Sequence, residues 1–154
     1  MRLQSLLYAA MNPPMRALLR SPLHGVASAN LAILNYRGRK SGQAYATPLS
    51  FVRDGSTVRF LSSHNTNWWK NFKSEPTPVE IEIARRKLAG IARVWDTDSE
   101  TLRDGVRSFL TALPRDAVVY GIGLDADRKP IEADIARTAN HVVLVEVELE
   151  NASR

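Results

Sequence analysis

The chain has 154 residues, of which 44% are hydrophobic and 24% are charged, a composition typical of a globular domain. It contains no cysteine, which excludes disulfides, thiolate metal sites and a cysteine nucleophile, and favours a reducing, cytoplasmic location. The net charge of +5 indicates an acidic partner, unless the basic residues serve only solubility. No apolar run approaches the roughly 20 residues of a membrane span, so we predict a single cytoplasmic domain over residues 1–154.

Residues 1–23 are predicted to form an amphipathic helical segment. Leu3, Leu6 and Met11 recur at helical spacing before residues 12–14 (Asn-Pro-Pro) interrupt the helix, an interruption that argues against a signal peptide. The segment either packs over the domain's own core or contacts an anionic membrane surface through its arginines.

The rest of the chain is dominated by the apolar alternation of β-strands. Asp54-Gly55 and Arg85-Arg86 indicate tight turns between neighbouring strands, and Pro48 marks an edge strand or a bulge. Short turns imply antiparallel pairing, so we predict a mainly β, α+β barrel rather than a parallel nucleotide-binding sheet. About six strands are predicted, over residues 31–37, 44–53, 57–63, 79–83, 87–95 and 143–149.

Three further helices are predicted. A short one is capped by Asn67, carries two adjacent tryptophans and stops before Pro76. Residues 97–100 (Thr-Asp-Ser-Glu) have the form of a capping box and start a helix that Pro114 ends. The last helix is predicted over residues 130–139.

The turn at residues 37–42 (Arg-Gly-Arg-Lys-Ser-Gly) is the first candidate site. Three cations and a hydroxyl crowd it, and two glycines let the backbone approach a ligand closely. Phosphate is bound by such charge-assisted donors together with exposed backbone N–H groups. The spacing is not that of a Walker loop. The turn therefore predicts an anion site, with a solvated basic turn as the alternative.

The second candidate site spans residues 62–72. Ser62 and Ser63 end a strand, and Trp68 and Trp69 start the short helix after a polar loop. Adjacent helical positions point about 100° apart, so one indole can pack inward while the other faces a groove or a flat ligand. The alternative is that both tryptophans lie in the core.

Other chemistry finds little support in the chain. His24, His64 and His141 share no metal-ligand spacing, so no metal site is predicted. No nucleophile elbow is present, and no catalytic residue can be named. Basic residues do not cluster on one predicted strand face, so nucleic acid is not expected, although a basic adaptor for RNA or membrane stays an alternative.

Read together, the two candidate segments resemble one family. The chain is similar to the deazaflavin-dependent nitroreductases of the flavin/deazaflavin oxidoreductase superfamily, whose pattern runs roughly as G-R-K-S-G, a P-L strand, an R-D-G turn, a strand ending near serine, and W-Y-x-N-L. The resemblance covers residues 31–83 and implies a split antiparallel β-barrel with flanking helices, the fold of FMN-dependent pyridoxamine-phosphate oxidases. Its matching elements are, in order, residues 38–42, Pro48-Leu49, Arg53-Asp54-Gly55, Ser63, Trp68-Trp69 and Asn71-Phe72-Lys73.

The resemblance implies an oxidoreductase that passes a hydride from a reduced deazaflavin coenzyme (F-420) to a small electron acceptor. The acceptor would be a quinone, a nitro compound or an activated double bond. FMN is the alternative cofactor, and a non-catalytic cofactor-binding or storage module is the alternative function. A homodimer is also expected, because the last strand is apolar on both faces and needs cover on both.

Site residues follow from the same resemblance. The coenzyme's phosphate and acidic glutamate tail would be held by Arg39, Lys40 and Ser41. The deazaflavin ring would lie along Thr47, Pro48 and Leu49, beside a loop lined by Ser62, Ser63 and His64 and closed by Trp68.

The chain departs from the family pattern at two places. His64-Asn65-Thr66 stands where many members carry a lysine followed by glycines, and Trp69 replaces the usual tyrosine. Only Tyr120 occupies the region where some members place several tyrosines over the substrate.

Overall fold

A computed structural model describes residues 30–150, and the predicted helical segment at residues 1–23 lies outside them. The described residues contain one seven-stranded sheet, two α-helices and two 3₁₀ helices. The strands are β1 (Leu31–Arg37), β2 (Ala44–Ser50), β3 (Val52–Asp54), β4 (Thr57–Ser63), β5 (Thr77–Ile83), β6 (Arg86–Trp95) and β7 (Val142–Leu149). The helices are a first 3₁₀ helix (Trp68–Phe72), α1 (Glu100–Ala112), a second 3₁₀ helix (Pro114–Tyr120) and α2 (Glu132–Thr138).

All strand pairs are antiparallel, and the sheet order is β2-β1-β5-β6-β7-β4-β3. The two end strands, β2 and β3, are consecutive in the chain and separated only by Phe51. The two edges of the sheet are therefore one stretch of chain, which pairs first with β1 and then with β4 and closes the sheet into a split barrel. This confirms the predicted fold class.

The predicted strand at residues 44–53 is divided into two strands, which raises the count from about six to seven. The division falls at Phe51, where the chain leaves β1 and joins β4, and the Phe51 N–H donates to the carbonyl of Asn30 at 3.0 Å. Pro48 lies on β2 at the end of the strand order, where a residue without an N–H is tolerated.

The two faces of β7 pack in two different clusters. Val143, Val145 and Val147 point into the barrel with Phe60 and the tryptophans of the first 3₁₀ helix. The opposite face, with Val142 and Leu144, packs against α1 and α2. The chain's own helices thus cover the face on which the homodimer prediction was based, and that basis was wrong. Dimerisation through another surface stays a prediction.

Local signals placed three of the four described helices within a few residues, whereas the second 3₁₀ helix was not predicted. Ser99, not Thr97, is the N-cap of α1, because its Oγ accepts from the Leu102 N–H at 3.1 Å. Asp98 instead accepts from the Arg103 guanidinium at 2.7 Å, and this bond lowers the pKa of the Asp98 carboxyl. Helix α1 ends before Pro114, as predicted.

We expect Gly105→Ala to destabilise the protein although alanine is the better helix former. A Cβ at Gly105 would lie 2.8 Å from Leu144 Cδ1 and 3.1 Å from Leu144 Cγ, and Leu144 is fully buried. Overpacking costs about 1–3 kcal/mol, whereas the propensity gain is about 1 kcal/mol. Chemical denaturation should show a lower free energy of unfolding. Ser108→Ala, at an exposed position of the same helix, should not lower it.

Candidate functional site

A cavity of about 560 Å³ lies where the β1–β2 turn meets the first 3₁₀ helix. Its volume falls within the roughly 300–1,000 Å³ of ordinary small-molecule sites. The two candidate segments of the sequence therefore meet around one space. The lining residues are Tyr36, Gly38, Arg39, Lys40, Ser41, Tyr45, Asn67, Trp68, Lys70 and Asn71.

The turn owes its shape to its two glycines. Gly42 has a φ of +69°, in the left-handed region that favours glycine, and its N–H donates to the Gly38 carbonyl at 2.8 Å. A Cβ on Gly38 would lie 2.8 Å from Ser41 Oγ and 2.9 Å from Tyr45 Cε2. Glycine at position 38 therefore lets the Tyr45 ring pack closely across the turn.

Asn71 ties the turn to the first 3₁₀ helix. The Arg39 backbone N–H donates to Asn71 Oδ1 at 2.8 Å, and Asn71 Nδ2 donates to the Trp68 carbonyl at 2.9 Å. The Arg39 guanidinium makes a second link by donating to Ser74 Oγ at 3.0 Å. The two hydrogen bonds from Arg39 connect residues that are more than 30 positions apart in the chain.

The two backbone N–H groups that follow that of Arg39 make no hydrogen bond within the described residues. The N–H groups of Lys40 and Ser41 meet no acceptor within residues 30–150, whereas those of Gly38, Arg39, Gly42 and Gln43 all do. Successive N–H groups in a tight turn provide positive partial charge for an anion.

The electrostatic character of the cavity is cationic. Its charged lining residues are Arg39, Lys40 and Lys70, and no carboxylate is among the ten residues that line it. Lys70 is oriented by Asn67, whose Oδ1 accepts from Lys70 Nζ at 3.1 Å. Between residues 30 and 150, no group of three His, Asp or Glu side chains is arranged to hold a metal ion. The cavity thus suits an organic anion.

An aromatic wall completes the cavity. The rings of Tyr36 and Tyr45 stack with centroids 5.5 Å apart, and Phe72 meets Tyr36 edge-on at 5.3 Å. The Tyr36 hydroxyl lies 3.2 Å from Thr47 Oγ1. Burial raises the pKa of Tyr36 and outweighs the hydrogen bond with Thr47, so the phenol is neutral at physiological pH. Tyr36 therefore adds no negative charge to the cavity.

Both adjacent tryptophans are buried, with Trp68 8% and Trp69 1% exposed. The Trp68 Nε1–H donates to Ser62 Oγ at 3.1 Å, and the Trp69 Nε1–H donates to the Ser63 carbonyl at 3.1 Å. Trp68 also lines the cavity. Trp69 is a core residue.

Six of the ten predicted site residues do not line this cavity. Successive strand residues point to opposite faces of a sheet, and this separates side chains that the sequence placed together. On β2, Leu49 packs in the barrel core, whereas Pro48 is buried on the opposite face of the sheet. Ser62 is buried beneath Trp68, and Ser63 lies on the other face of β4. The six are Thr47, Pro48, Leu49, Ser62, Ser63 and His64.

His64 lies away from the cavity. Its Nε2 is 2.7 Å from the Asp96 carbonyl, and its ring meets Trp69 edge-on with centroids 5.3 Å apart. The structure therefore gives His64 contacts with the β6 end and the core, not with this cavity.

The six lining residues that were not among the predicted site residues are a glycine (Gly38), two tyrosines, two asparagines and a lysine. Tyr36 and Tyr45 are paired across the β1–β2 hairpin. Because the two tyrosines are equally far from the predicted turn, the hairpin register could have predicted from sequence that they lie side by side. Asn67, Lys70 and Asn71 fall within the second candidate segment, but only tertiary contact shows that they face the turn.

None of the helices between residues 30 and 150 has the length and apolarity needed to span a bilayer. The described fold is a split β-barrel with helices on one side and a cationic cavity at one end.

Residues 19–114 match the family model for F420H(2)-dependent quinone reductases. A Mycobacterium tuberculosis protein named "Putative F420H(2)-dependent quinone reductase" is 27% identical over 85 residues, which span 47% of this chain and 71% of that protein. Among solved structures, one of an F420-H2-dependent reductase is 19% identical with a TM-score of 0.55, covering 78% of this chain and 95% of that one. A structure described as a domain-swapped dimer is 18% identical with a TM-score of 0.57, covering 96% and 100%.

Because the family model spans more than half of the chain, the protein belongs to the F420H(2)-dependent quinone reductase family. The family confirms the resemblance seen in the sequence, the oxidoreductase class and the deazaflavin coenzyme predicted from it. The two solved structures support the split-barrel fold alone, since their sequence identity is low.

We expect Ser62→Ala and Ser63→Ala to have opposite effects on stability. Ser62 Oγ accepts from the buried Trp68 indole, so its removal leaves a buried donor unsatisfied and should cost about 1–3 kcal/mol. Ser63 Oγ is buried without a hydrogen-bond partner, so its removal should be neutral or stabilising. Urea unfolding of both variants measures this. Equal losses would contradict the assigned orientations of the two side chains.

Proposed function

We propose that the protein reduces a quinone with a hydride taken from the reduced deazaflavin coenzyme, and that the described cavity holds the coenzyme's phosphate and acidic tail. The observation that carries this proposal is a cavity with three cations, no carboxylate and two uncommitted backbone N–H groups. Family membership supports the reaction class. Nitro compounds and activated double bonds are proposed as further acceptors.

The donors of the cavity fit a polyanion. A phosphate placed on the Lys40 and Ser41 amides would also meet the Lys40 ammonium and the Ser41 hydroxyl, whose oxygen already accepts from the Gln43 N–H at 3.1 Å. Lys70, on the first 3₁₀ helix, lines the same space, and we propose that it pairs with a carboxylate of the acidic tail. Charge-assisted hydrogen bonds of this kind are the stronger ones in proteins.

In this proposal the chain's own residues bind and orient the coenzyme and exclude water from it. When bound, the reduced coenzyme supplies a hydride to the acceptor, and the protein positions the two partners. Trp68, held by Ser62, presents a fixed flat surface next to the cation-lined space. Placement of the coenzyme ring along Thr47–Leu49 and the 62–64 loop stays a proposal.

The proposal is tested with purified protein, the reduced deazaflavin coenzyme and a water-soluble quinone. Coenzyme binding should quench tryptophan fluorescence, because Trp68 lines the cavity. Absorbance should then report coenzyme oxidation that depends on both protein and quinone. FMN serves as the comparison cofactor. Tighter binding of FMN, or no quinone-dependent oxidation, would overturn the proposal.

We expect Lys40→Ala to weaken coenzyme binding by about 1–3 kcal/mol, the range for a lost charge-assisted contact. The loss should shrink as salt is added, because screening weakens the interaction in the unmodified protein. Fluorescence titration at two ionic strengths measures both effects. Lys129→Ala removes the same charge from an exposed loop that does not line the cavity, and should leave the affinity within twofold.

A further inference from the structure

We propose that Asn71 is a positioning residue, which holds the 37–42 turn in the conformation that leaves the Lys40 and Ser41 amides available to an anion. As far as the ligand is the deazaflavin coenzyme, this inference rests on the proposed function. It assigns a role to a side chain that need not itself touch the ligand.

Both polar atoms of the Asn71 side chain are engaged. Oδ1 accepts from the Arg39 N–H at 2.8 Å, and Nδ2 donates to the Trp68 carbonyl at 2.9 Å. An amide used at both ends has one orientation, because exchanging its oxygen and nitrogen would set donor against donor and acceptor against acceptor. Asn71 therefore defines the distance between the turn and the helix.

The support for Asn71 is rigid. It belongs to the first 3₁₀ helix, whose Trp68, Trp69 and Phe72 are buried in the barrel core. The turn itself is exposed at Arg39, Lys40 and Ser41 and has no apolar anchor of its own there. The Asn71 carboxamide thus fixes the exposed turn to a helix that is itself held by core packing.

Asn71 also determines which backbone N–H groups of the turn are left without a hydrogen-bond acceptor. It occupies the Arg39 N–H, and the next two N–H groups in the chain are the ones without acceptors. Without Asn71, the one hydrogen bond left between the turn and the region of the helix, within residues 30–150, would be that from the exposed Arg39 guanidinium to Ser74. Ordering the turn would then oppose anion binding, since fixing backbone dihedrals costs conformational entropy.

This role differs from that of the cations in its salt dependence. Asn71→Ala removes no charge, so the Coulombic attraction and its screening by salt stay the same. We expect an affinity loss of about five- to tenfold that is equal at low and high salt. The Lys40→Ala loss, by contrast, should depend on salt.

The experiment compares the unmodified protein with Asn71→Ala and Asn140→Ala. Asn140 is a matched control, because its Oδ1 also accepts a backbone N–H, that of Asp98 at 3.0 Å, at a site remote from the cavity. Coenzyme affinity is measured at two salt concentrations, and kcat and KM for the coenzyme are measured with a quinone. For Asn71→Ala we expect a raised KM with kcat within twofold and an unchanged salt slope, and for Asn140→Ala we expect no change in any of the three. A proportionate loss in kcat, or an unaltered KM, would overturn the proposal.

A second probe, inorganic phosphate, makes the test independent of the coenzyme. Amide resonances of Lys40 and Ser41 should shift on phosphate addition in the unmodified protein and much less in Asn71→Ala. If the coenzyme does not bind but phosphate behaves in this way, the proposed function fails while the role of Asn71 stands. Equal phosphate shifts in both proteins would refute that role.

Hydrogen exchange covers the case in which Asn71→Ala does not fold. In the unmodified protein, the Arg39 amide should exchange more slowly than the Lys40 and Ser41 amides, because it alone of the three has an acceptor. Equal exchange rates for the three amides would overturn the proposal without any variant.

Discussion

The closure of the barrel at Phe51 is the constraint on which the rest of the structure depends. One stretch of chain pairs with β1 on one side of this residue and with β4 on the other, so both edges of the sheet are satisfied by the same segment. Closure removes exposed edges and encloses an apolar interior that the first 3₁₀ helix fills with aromatic rings. That helix is thereby held beside the β1–β2 turn, and the cavity forms between them.

The cavity concentrates one sign of charge without opposing carboxylates. Several cations elsewhere in the described residues are instead paired with carboxylates: Arg59 with Glu146 at 2.7 Å, Lys73 with Asp96 at 3.0 Å, and Arg107 with Glu132 at 2.6 Å. In each such ion pair the two opposite charges cancel locally, and the pair joins different parts of the fold. Unpaired cations facing one concave space create a field that favours an anionic ligand.

Of the two departures from the family pattern, Trp69 lies in the barrel core and His64 lies beside it. Trp69, in place of the usual tyrosine, is 1% exposed and donates to the Ser63 carbonyl, so it fills the barrel. His64 contacts Trp69 and the Asp96 carbonyl. In this chain the cations at the cavity come from the turn and from Lys70, not from the position after the strand-ending serine.

Local sequence patterns predicted most of the elements and singled out the 37–42 turn as a candidate anion site. The strands at residues 31–37 and 57–63 have their predicted bounds, because alternation and turn residues act over a few positions. The grouping of side chains around the cavity depended instead on strand pairing and contacts between residues distant in the chain. Ser62 and Ser63 face opposite ways because β4 pairs with β7 in one register, and Asn71 reaches Arg39 only because the closed barrel brings them together. Those contacts join residues distant in the chain, and periodicity within a short window carries no information about them.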